Sequence, residues 1–154
     1  MPHEECAVEG GGEAEKGHDS SRCIFCGIIN GTEPAQVLYR DESVIAFRDI
    51  REKARIQFLV CPIAHIATVN DLGPGHRPLL VHMKKVGENV LQRLHNESTL
   101  SGRKLRAGYG FHRPPFNSIN HLHLHVYAYP RTWRGYVEYS GFWFTSMKKL
   151  LSNL

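Results

Sequence analysis

The sequence has few of the features that mark a membrane, secreted or nucleic-acid-binding protein. No apolar run approaches the roughly 18 residues of a transmembrane helix, and the first 21 residues lack the apolar core of a secretory signal. The 19 Lys and Arg residues are spread along the chain without a dense basic run. No membrane or nucleic acid partner is therefore predicted. The net charge of +4 suits a phosphate-bearing ligand without identifying one.

Cysteine is scarce as well, with four residues among 154. Because no export signal precedes them, Cys6, Cys23, Cys26 and Cys61 are not expected to form a disulfide framework. Free thiols or a pair of metal ligands are favoured instead. We predict a cytoplasmic location. The nucleus is included in this prediction because a chain of this size diffuses between the two compartments. Cys61 is expected in the core, and Cys6 is expected to be a free thiol.

The chain divides into a short tail and one domain. Residues 1–21 consist mostly of glycine, glutamate and small polar side chains, so they are predicted to form a disordered tail. Residues 22–154 are enough for a single domain with its own core. Five strands are predicted, at residues 37–40, 43–48, 56–61, 105–112 and 120–129.

The longest predicted element is a helix over residues 76–96. Its apolar residues recur at steps of three and four and form one stripe, made of Leu79, Met83, Val86, Val90 and Leu94. Shorter helices are predicted at residues 23–30 and 145–151. A mostly antiparallel sheet of about five strands, one long helix and short terminal helices define an α+β architecture.

The most informative segment is His121-Leu122-His123-Leu124-His125. Side chains alternate between the two faces of a strand, so a strand here would present three imidazoles on one face and bury the leucines behind them. Imidazole transfers protons near neutral pH, attacks phosphorus and binds metals. The pattern therefore predicts a functional site. Polar residues at a sheet edge, or a purely metal-binding strand, are the alternatives.

A second pattern is the Cys23-Ile24-Phe25-Cys26 pair. By itself this C-x-x-C spacing is compatible with zinc binding, with redox chemistry or with burial. Two thiolates need two further ligands to close a tetrahedral zinc site.

Several segments together resemble one family. Residues 121–127 (HLHLHVY) fit the His-φ-His-φ-His-φ-φ signature of the histidine triad superfamily. Residues 44–50 (VIAFRDI), 58–66 (FLVCPIAHI) and 116–121 (FNSINH) resemble further blocks of that superfamily in the same order. The resemblance covers about residues 22–130. It is greatest for the branch of histidine triad nucleotide-binding proteins that carries Gly-Phe-His-x-Pro-Pro-Phe-x-Ser, here residues 110–118.

This resemblance implies the histidine triad fold, with a sheet extended by homodimerisation. It also implies hydrolysis of adenosine 5′-phosphoramidates at the α-phosphate, which gives AMP and an amine. His123 matches the nucleophile, which forms a nucleotidyl-histidine without a catalytic metal. The catalytic set implied for this sequence is His65, His121, His123 and His125, of which His125 contacts phosphate.

The resemblance also assigns a nucleotide-binding set. Asp49 matches the acid that accepts from the ribose hydroxyls, and Ile50 would lie against the base. Asn117 and Ser118 match phosphate-loop positions, and His112 is a candidate further phosphate contact. Better-known members of the family have an asparagine in the region of His112. In this chain the corresponding residue is Gly110 or His112. Without the motif, Ser118 would be interpreted as a loop hydroxyl that makes a local turn. For Asp49, a turn residue at the end of a strand is the alternative.

For the cysteine pair, the resemblance implies His65 and His121 as partners of Cys23 and Cys26. Together they form a Cys₂His₂ set typical of structural zinc. The alternative role of the two histidines is to orient His123 through hydrogen bonds.

Three rival functions remain at this point. Adenylyl sulfate cleavage uses the same nucleophile. Removal of 5′-adenylate from aborted DNA ligation is done by a related branch, but this chain has no extra DNA-binding finger or basic tail. A non-catalytic nucleotide-binding or scaffold protein is the third, and an intact triad argues against it.

Overall fold

The computed structural model describes residues 22–51, 53–130, 137 and 139–154, and within them the chain forms six strands and three helices. In chain order they are α1 (Ile24–Asn30), β1 (Val37–Arg40), β2 (Val44–Arg48), β3 (Ala54–Pro62), α2 (Arg77–Glu97), β4 (Ala107–His112), β5 (Leu124–Pro130), β6 (Phe144–Ser146) and α3 (Met147–Asn153). The predicted disordered tail at residues 1–21, with Cys6, lies outside the described residues.

The strands form one sheet in the order β1-β2-β3-β5-β4-β6, and each neighbouring pair is antiparallel. The predicted α+β fold is therefore confirmed, with one strand more than expected. That strand, β6, comes from the aromatic C-terminal segment, where the sequence predicted the start of a helix. The helix begins two residues later than predicted, at Met147, because Ser146 caps it by accepting a hydrogen bond from the Lys149 N–H at 3.3 Å.

The sheet is buried on both faces. In β3, Ile56, Phe58 and Val60 pack in the core beneath α2, whereas Leu59 and Cys61 pack in a second core with residues of α1. This alternation follows from the period-two geometry of a strand. Burial on both faces explains why the sequence of β3 is a nearly continuous apolar run, as is typical of strands covered on both sides.

Helix α2 has its buried stripe rotated slightly from the prediction. Leu80 and Leu91 are fully buried, whereas Leu79 and Leu94 only border the core. Gly87 lies at the centre of the contact with the sheet, and a Cβ added there would come within 3.0 Å of the Val126 side chain. The absence of a side chain at Gly87 therefore lets the helix approach β5 closely.

The histidine segment is only partly a strand. Strand β5 begins at Leu124 rather than near residue 120, so His121 and His123 precede it. The Leu122 N–H donates to the Ile66 carbonyl at 2.6 Å, which holds this segment against the loop after β3 instead of in the regular ladder. The expected alternation nevertheless persists, because Leu122, Leu124 and Val126 all enter the core beneath α2.

None of the helices in the described part of the chain has the length and apolar character needed to cross a bilayer.

Candidate active site

The central histidine of the triad is buried and held in one tautomer. His123 is 7% exposed, and its Nδ1 lies 2.6 Å from the main-chain carbonyl oxygen of His121. A carbonyl oxygen can only accept, so His123 Nδ1–H donates and the lone pair is left on Nε2. Burial lowers the pKa of His123 below its ordinary value, which favours the neutral ring. The neutral ring therefore keeps an unprotonated Nε2, which is the form of imidazole that can act as a nucleophile.

A small recess borders the His123 ring. Its walls include Phe111 and His112 from β4, Asn117 and Ile119 from the loop before the triad, and Thr68 from the loop after β3. The His123 ring also meets the Phe25 ring edge-on, with centroids 5.2 Å apart. Helix α1 therefore packs against the same imidazole that borders the recess.

His125 forms a pair with His112. His112 Nδ1 and His125 Nε2 are 2.8 Å apart, so one ring donates to the other. Burial, followed by the nearby His123 and His112, lowers the pKa of His125 well below its usual range. His125 Nδ1 is buried and has no hydrogen-bond partner among the described residues. The predicted phosphate contact His112 therefore lies directly against the triad.

The loop between β4 and the triad carries the predicted phosphate contacts. Asn117 Nδ2 donates to Asn120 Oδ1 at 2.8 Å, and Ser118 is exposed. The Pro114–Pro115 peptide bond in this loop is cis. Of the two predicted residues, Asn117 lines the recess beside His123, and Ser118 is exposed on the same loop.

The predicted ribose acceptor lies just past the end of β2. Asp49 Oδ2 accepts from Gln57 Nε2 at 2.7 Å, and Asp49 Oδ1 accepts from the Arg51 N–H at 3.0 Å. Ile50, the predicted base contact, is 94% exposed. Sequence reasoning missed Gln57; the available signal was a single amide side chain inside an apolar strand.

The four predicted metal ligands come together in a single cluster. The ligand atoms of Cys23, Cys26, His65 and His121 all lie within 4.8 Å of one another. Cys26 Sγ is 3.3 Å from His65 Nδ1, and both cysteine sulfurs are 3.5 Å from His121 Nδ1. Cys23 immediately precedes α1 and Cys26 lies in its first turn, the loop after β3 supplies His65, and the start of the triad supplies His121.

The donor set fits a tetrahedral zinc ion. Zinc bonds of about 2.3 Å to sulfur and about 2.0 Å to nitrogen put neighbouring ligand atoms about 3.5 Å apart. His121 Nε2 lies 2.9 Å from the Pro62 carbonyl oxygen and must donate to it, so the Nδ1 lone pair faces the sulfurs. This second bond fixes the ring as a ligating histidine requires.

The thiols have different environments. Burial, followed by the neighbouring Cys23, raises the pKa of Cys26 to about 11, so the protein alone holds this thiol protonated and a cation is needed to favour the thiolate. Cys61 is fully buried, and burial raises the pKa of its thiol well above the ordinary value. Cys61 is a core residue, as predicted, and it is not part of the cluster.

The sequence matches the family described as scavenger mRNA decapping enzyme C-term binding over residues 22–136. The chain belongs to the histidine triad family. An Arabidopsis thaliana relative named bifunctional adenosine 5′-phosphosulfate phosphorylase/adenylylsulfatase HINT4 is 44% identical over 110 residues, or 70% of each chain. A Xenopus tropicalis relative named adenosine 5′-monophosphoramidase HINT3 is 36% identical over 155 residues, or 96% of this chain and 97% of the relative.

A solved structure described as a zinc-bound histidine triad family protein from Mycobacterium smegmatis is also similar. It is 26% identical, and the alignment covers 86% of this chain and 93% of that one with a TM-score of 0.58. The family and fold predicted from the triad signature are thus confirmed.

Proposed function

We propose that this histidine triad protein is a nucleotide hydrolase that cleaves adenosine 5′-phosphoramidates at the α-phosphorus, releasing AMP and an amine. The observation that carries the proposal is the neutral His123 ring, whose Nδ1–H is bonded to the His121 carbonyl at 2.6 Å. A ring held in this way has one free nucleophilic nitrogen. Relatives named adenosine 5′-monophosphoramidase support the same activity.

The reaction has two displacements at phosphorus. His123 Nε2 attacks the α-phosphorus, the bond from phosphorus to the amine nitrogen breaks, and this nitrogen takes a proton from solvent as the amine leaves. Water then attacks the nucleotidyl-histidine and gives up a proton to solvent, the P–N bond to His123 breaks, and AMP is released. One difficult step is thereby divided into two easier ones.

The surrounding residues bind the nucleotide in this proposal. Asn117 and Ser118 offer hydrogen-bond donors to the phosphate oxygens, and the His112–His125 pair lies beside the reacting phosphorus. Asp49 accepts hydrogen bonds from the ribose hydroxyls, and Ile50 covers the base. These roles rest on the resemblance, and they are supported by the recess beside His123, which His112 and Asn117 line.

We further propose that Cys23, Cys26, His65 and His121 hold a structural Zn²⁺. Zinc bound to these four residues would hold α1, the loop after β3 and the triad together. His121 has two tasks, since its ring faces the cysteines and its carbonyl orients His123. His65 and His121 therefore act on catalysis by positioning the nucleophile.

A steady-state comparison of three substrates tests the proposed activity. We expect kcat/KM to be highest for an adenosine 5′-phosphoramidate, lower for adenylyl sulfate and lowest for a dinucleoside polyphosphate. Adenylyl sulfate is the second candidate because the Arabidopsis relative carries an adenylylsulfatase name. Preference for that substrate would replace the first candidate. AMP binding without turnover of any of the three would instead identify a non-catalytic nucleotide-binding protein.

A homodimer is the proposed assembly. Strand β6 pairs with Gly110, Phe111 and His112 only, so Ala107 to Tyr109 have no neighbour on that edge of the sheet among the described residues. An open edge can pair with another strand, and a second copy of this chain supplies one. Sedimentation equilibrium should give twice the chain mass of 17.5 kDa, and a monomer mass across the micromolar range would contradict the assembly.

A cytoplasmic or nuclear location stays a prediction.

A further inference from the structure

Gln57 is a buried amide, and no sequence motif identifies it as part of the site. It is 2% exposed and lies in β3 directly opposite Tyr127 of β5. Two residues further along β3, Leu59 lies opposite His125 and packs in the core beside α1. Because side chains alternate along a strand, Gln57 is on the same face of the sheet as the histidines.

Every hydrogen-bonding position of the Gln57 amide is used. Its Oε1 accepts from the main-chain N–H groups of Lys53 at 2.7 Å and Ala54 at 3.2 Å. Its Nε2 donates to Asp49 Oδ2 at 2.7 Å and to the Arg51 carbonyl at 3.2 Å. A flipped amide would turn its oxygen toward a carboxylate and its NH₂ toward two N–H donors, so the network permits one orientation only.

The consequence is a carboxylate fixed before any ligand arrives. Asp49 receives one donor on each oxygen, from Gln57 on Oδ2 and from the Arg51 N–H on Oδ1. A carboxylate has about four lone-pair positions, so each oxygen can still accept one more hydrogen bond. Two acceptors side by side match the two hydroxyls of a ribose, and fixing them in advance removes an ordering cost from binding.

From this network we infer that Gln57 is the positioning residue for ribose recognition and that it sets the preference of the site for ribonucleotides over 2′-deoxyribonucleotides. The inference rests on the proposed function, in which Asp49 accepts from the ribose. Gln57 acts through Asp49 and does not touch the reacting phosphorus. Its loss therefore changes KM and sugar selectivity more than kcat.

Gln57→Glu tests this inference with little change of shape. When it is ionised, the new carboxylate cannot donate to Asp49 and repels it, while its other oxygen still accepts from Lys53 and Ala54. The assay is therefore run at alkaline pH, because burial beside Asp49 raises the pKa of the new carboxyl. We expect kcat/KM for adenosine 5′-phosphoramidate to fall about tenfold to a hundredfold, since the lost bond is to a charged group. The 2′-deoxy analogue should be much less affected, so the ratio of the two values should shrink about tenfold.

Two further variants control for the chemistry and for folding. Gln92→Glu makes the same change on the exposed face of α2, where Gln92 Nε2 donates to Asn96, and should leave the sugar selectivity as it is. Gln57→Met keeps the side-chain length without any hydrogen bond, and should lose selectivity in the same direction. Thermal melts show whether each variant is folded.

Calorimetry with AMP and dAMP separates this inference from the activity on which it rests. Wild-type protein that neither binds AMP nor turns over a phosphoramidate would refute the proposed function. Wild-type protein that binds AMP, with unchanged AMP-to-dAMP selectivity in a folded Gln57 variant, would refute only the role of Gln57. Equal losses for both sugars, or unfolding of both Gln57 variants, would assign Gln57 to the fold and also overturn the inference.

Discussion

Replacing His123 by alanine should lower kcat for an adenosine 5′-phosphoramidate by at least about 10³-fold, because the variant has no atom that can form the covalent intermediate. Binding of AMP should change far less, since the variant keeps Asp49 and the residues of the phosphate loop. Rapid-quench turnover measurements and calorimetry with AMP separate the two effects. His76→Ala removes a histidine outside the recess and serves as the matched control.

The intermediate itself can be trapped. Wild-type protein quenched during turnover of a slow substrate should carry one nucleotidyl group, attached to His123 by a bond that acid breaks and alkali spares. The His123→Ala protein should carry none. Equal turnover by both proteins, or an adduct on another residue, would contradict the assignment of the nucleophile.

Loss of the metal cluster should have the second largest effect. We expect wild-type protein to contain one zinc ion per chain and Cys26→Ser to contain almost none. Zinc binding to a folded site contributes folding free energy, and we expect a loss of at least about 3 kcal/mol, or roughly 10 °C in Tm for a chain of this size. Elemental analysis and thermal denaturation measure the two quantities.

Cys61→Ala is the control for this experiment. It removes a buried thiol that is not part of the cluster, so it should retain one zinc ion per chain despite a smaller loss of stability. Chelation of wild-type protein should lower Tm as Cys26→Ser does, and the effect of chelator on Cys26→Ser should be small. Purified wild-type protein without zinc, with the same Tm in the presence of added zinc or chelator, would contradict the metal site.

The sequence predicted the parts of the fold in which one physical signal dominates. Helix α2 has a long stripe of apolar residues, and Arg77–Glu97 agrees with the predicted 76–96 to within one residue. The first hairpin and β3 were also predicted in type and place. The metal cluster came from the resemblance, and the structure does bring Cys23, Cys26, His65 and His121 together.

Other features depend on contacts between distant segments and carry no local signal. Strand β6 has three residues, and only its pairing with β4 makes it a strand. The bond between His112 and His125 requires two strands in register. The Gln57 network depends on the path of the chain after β2, which no residue pattern specifies. The division into a tail and a single domain stays a prediction, as do the individual roles of the nucleotide-binding residues.

The alternation around the triad has a consequence for how this protein can vary in length. Leu122, Leu124 and Val126 enter one core, while the intervening histidines serve the opposite face. Inserting or deleting one codon within this stretch would exchange the two sets, turning imidazoles into the apolar core and leucines onto the face that carries the triad. Length changes are therefore compatible with function only in segments such as the polar loop at residues 98–103, where no alternating pattern must be kept in phase.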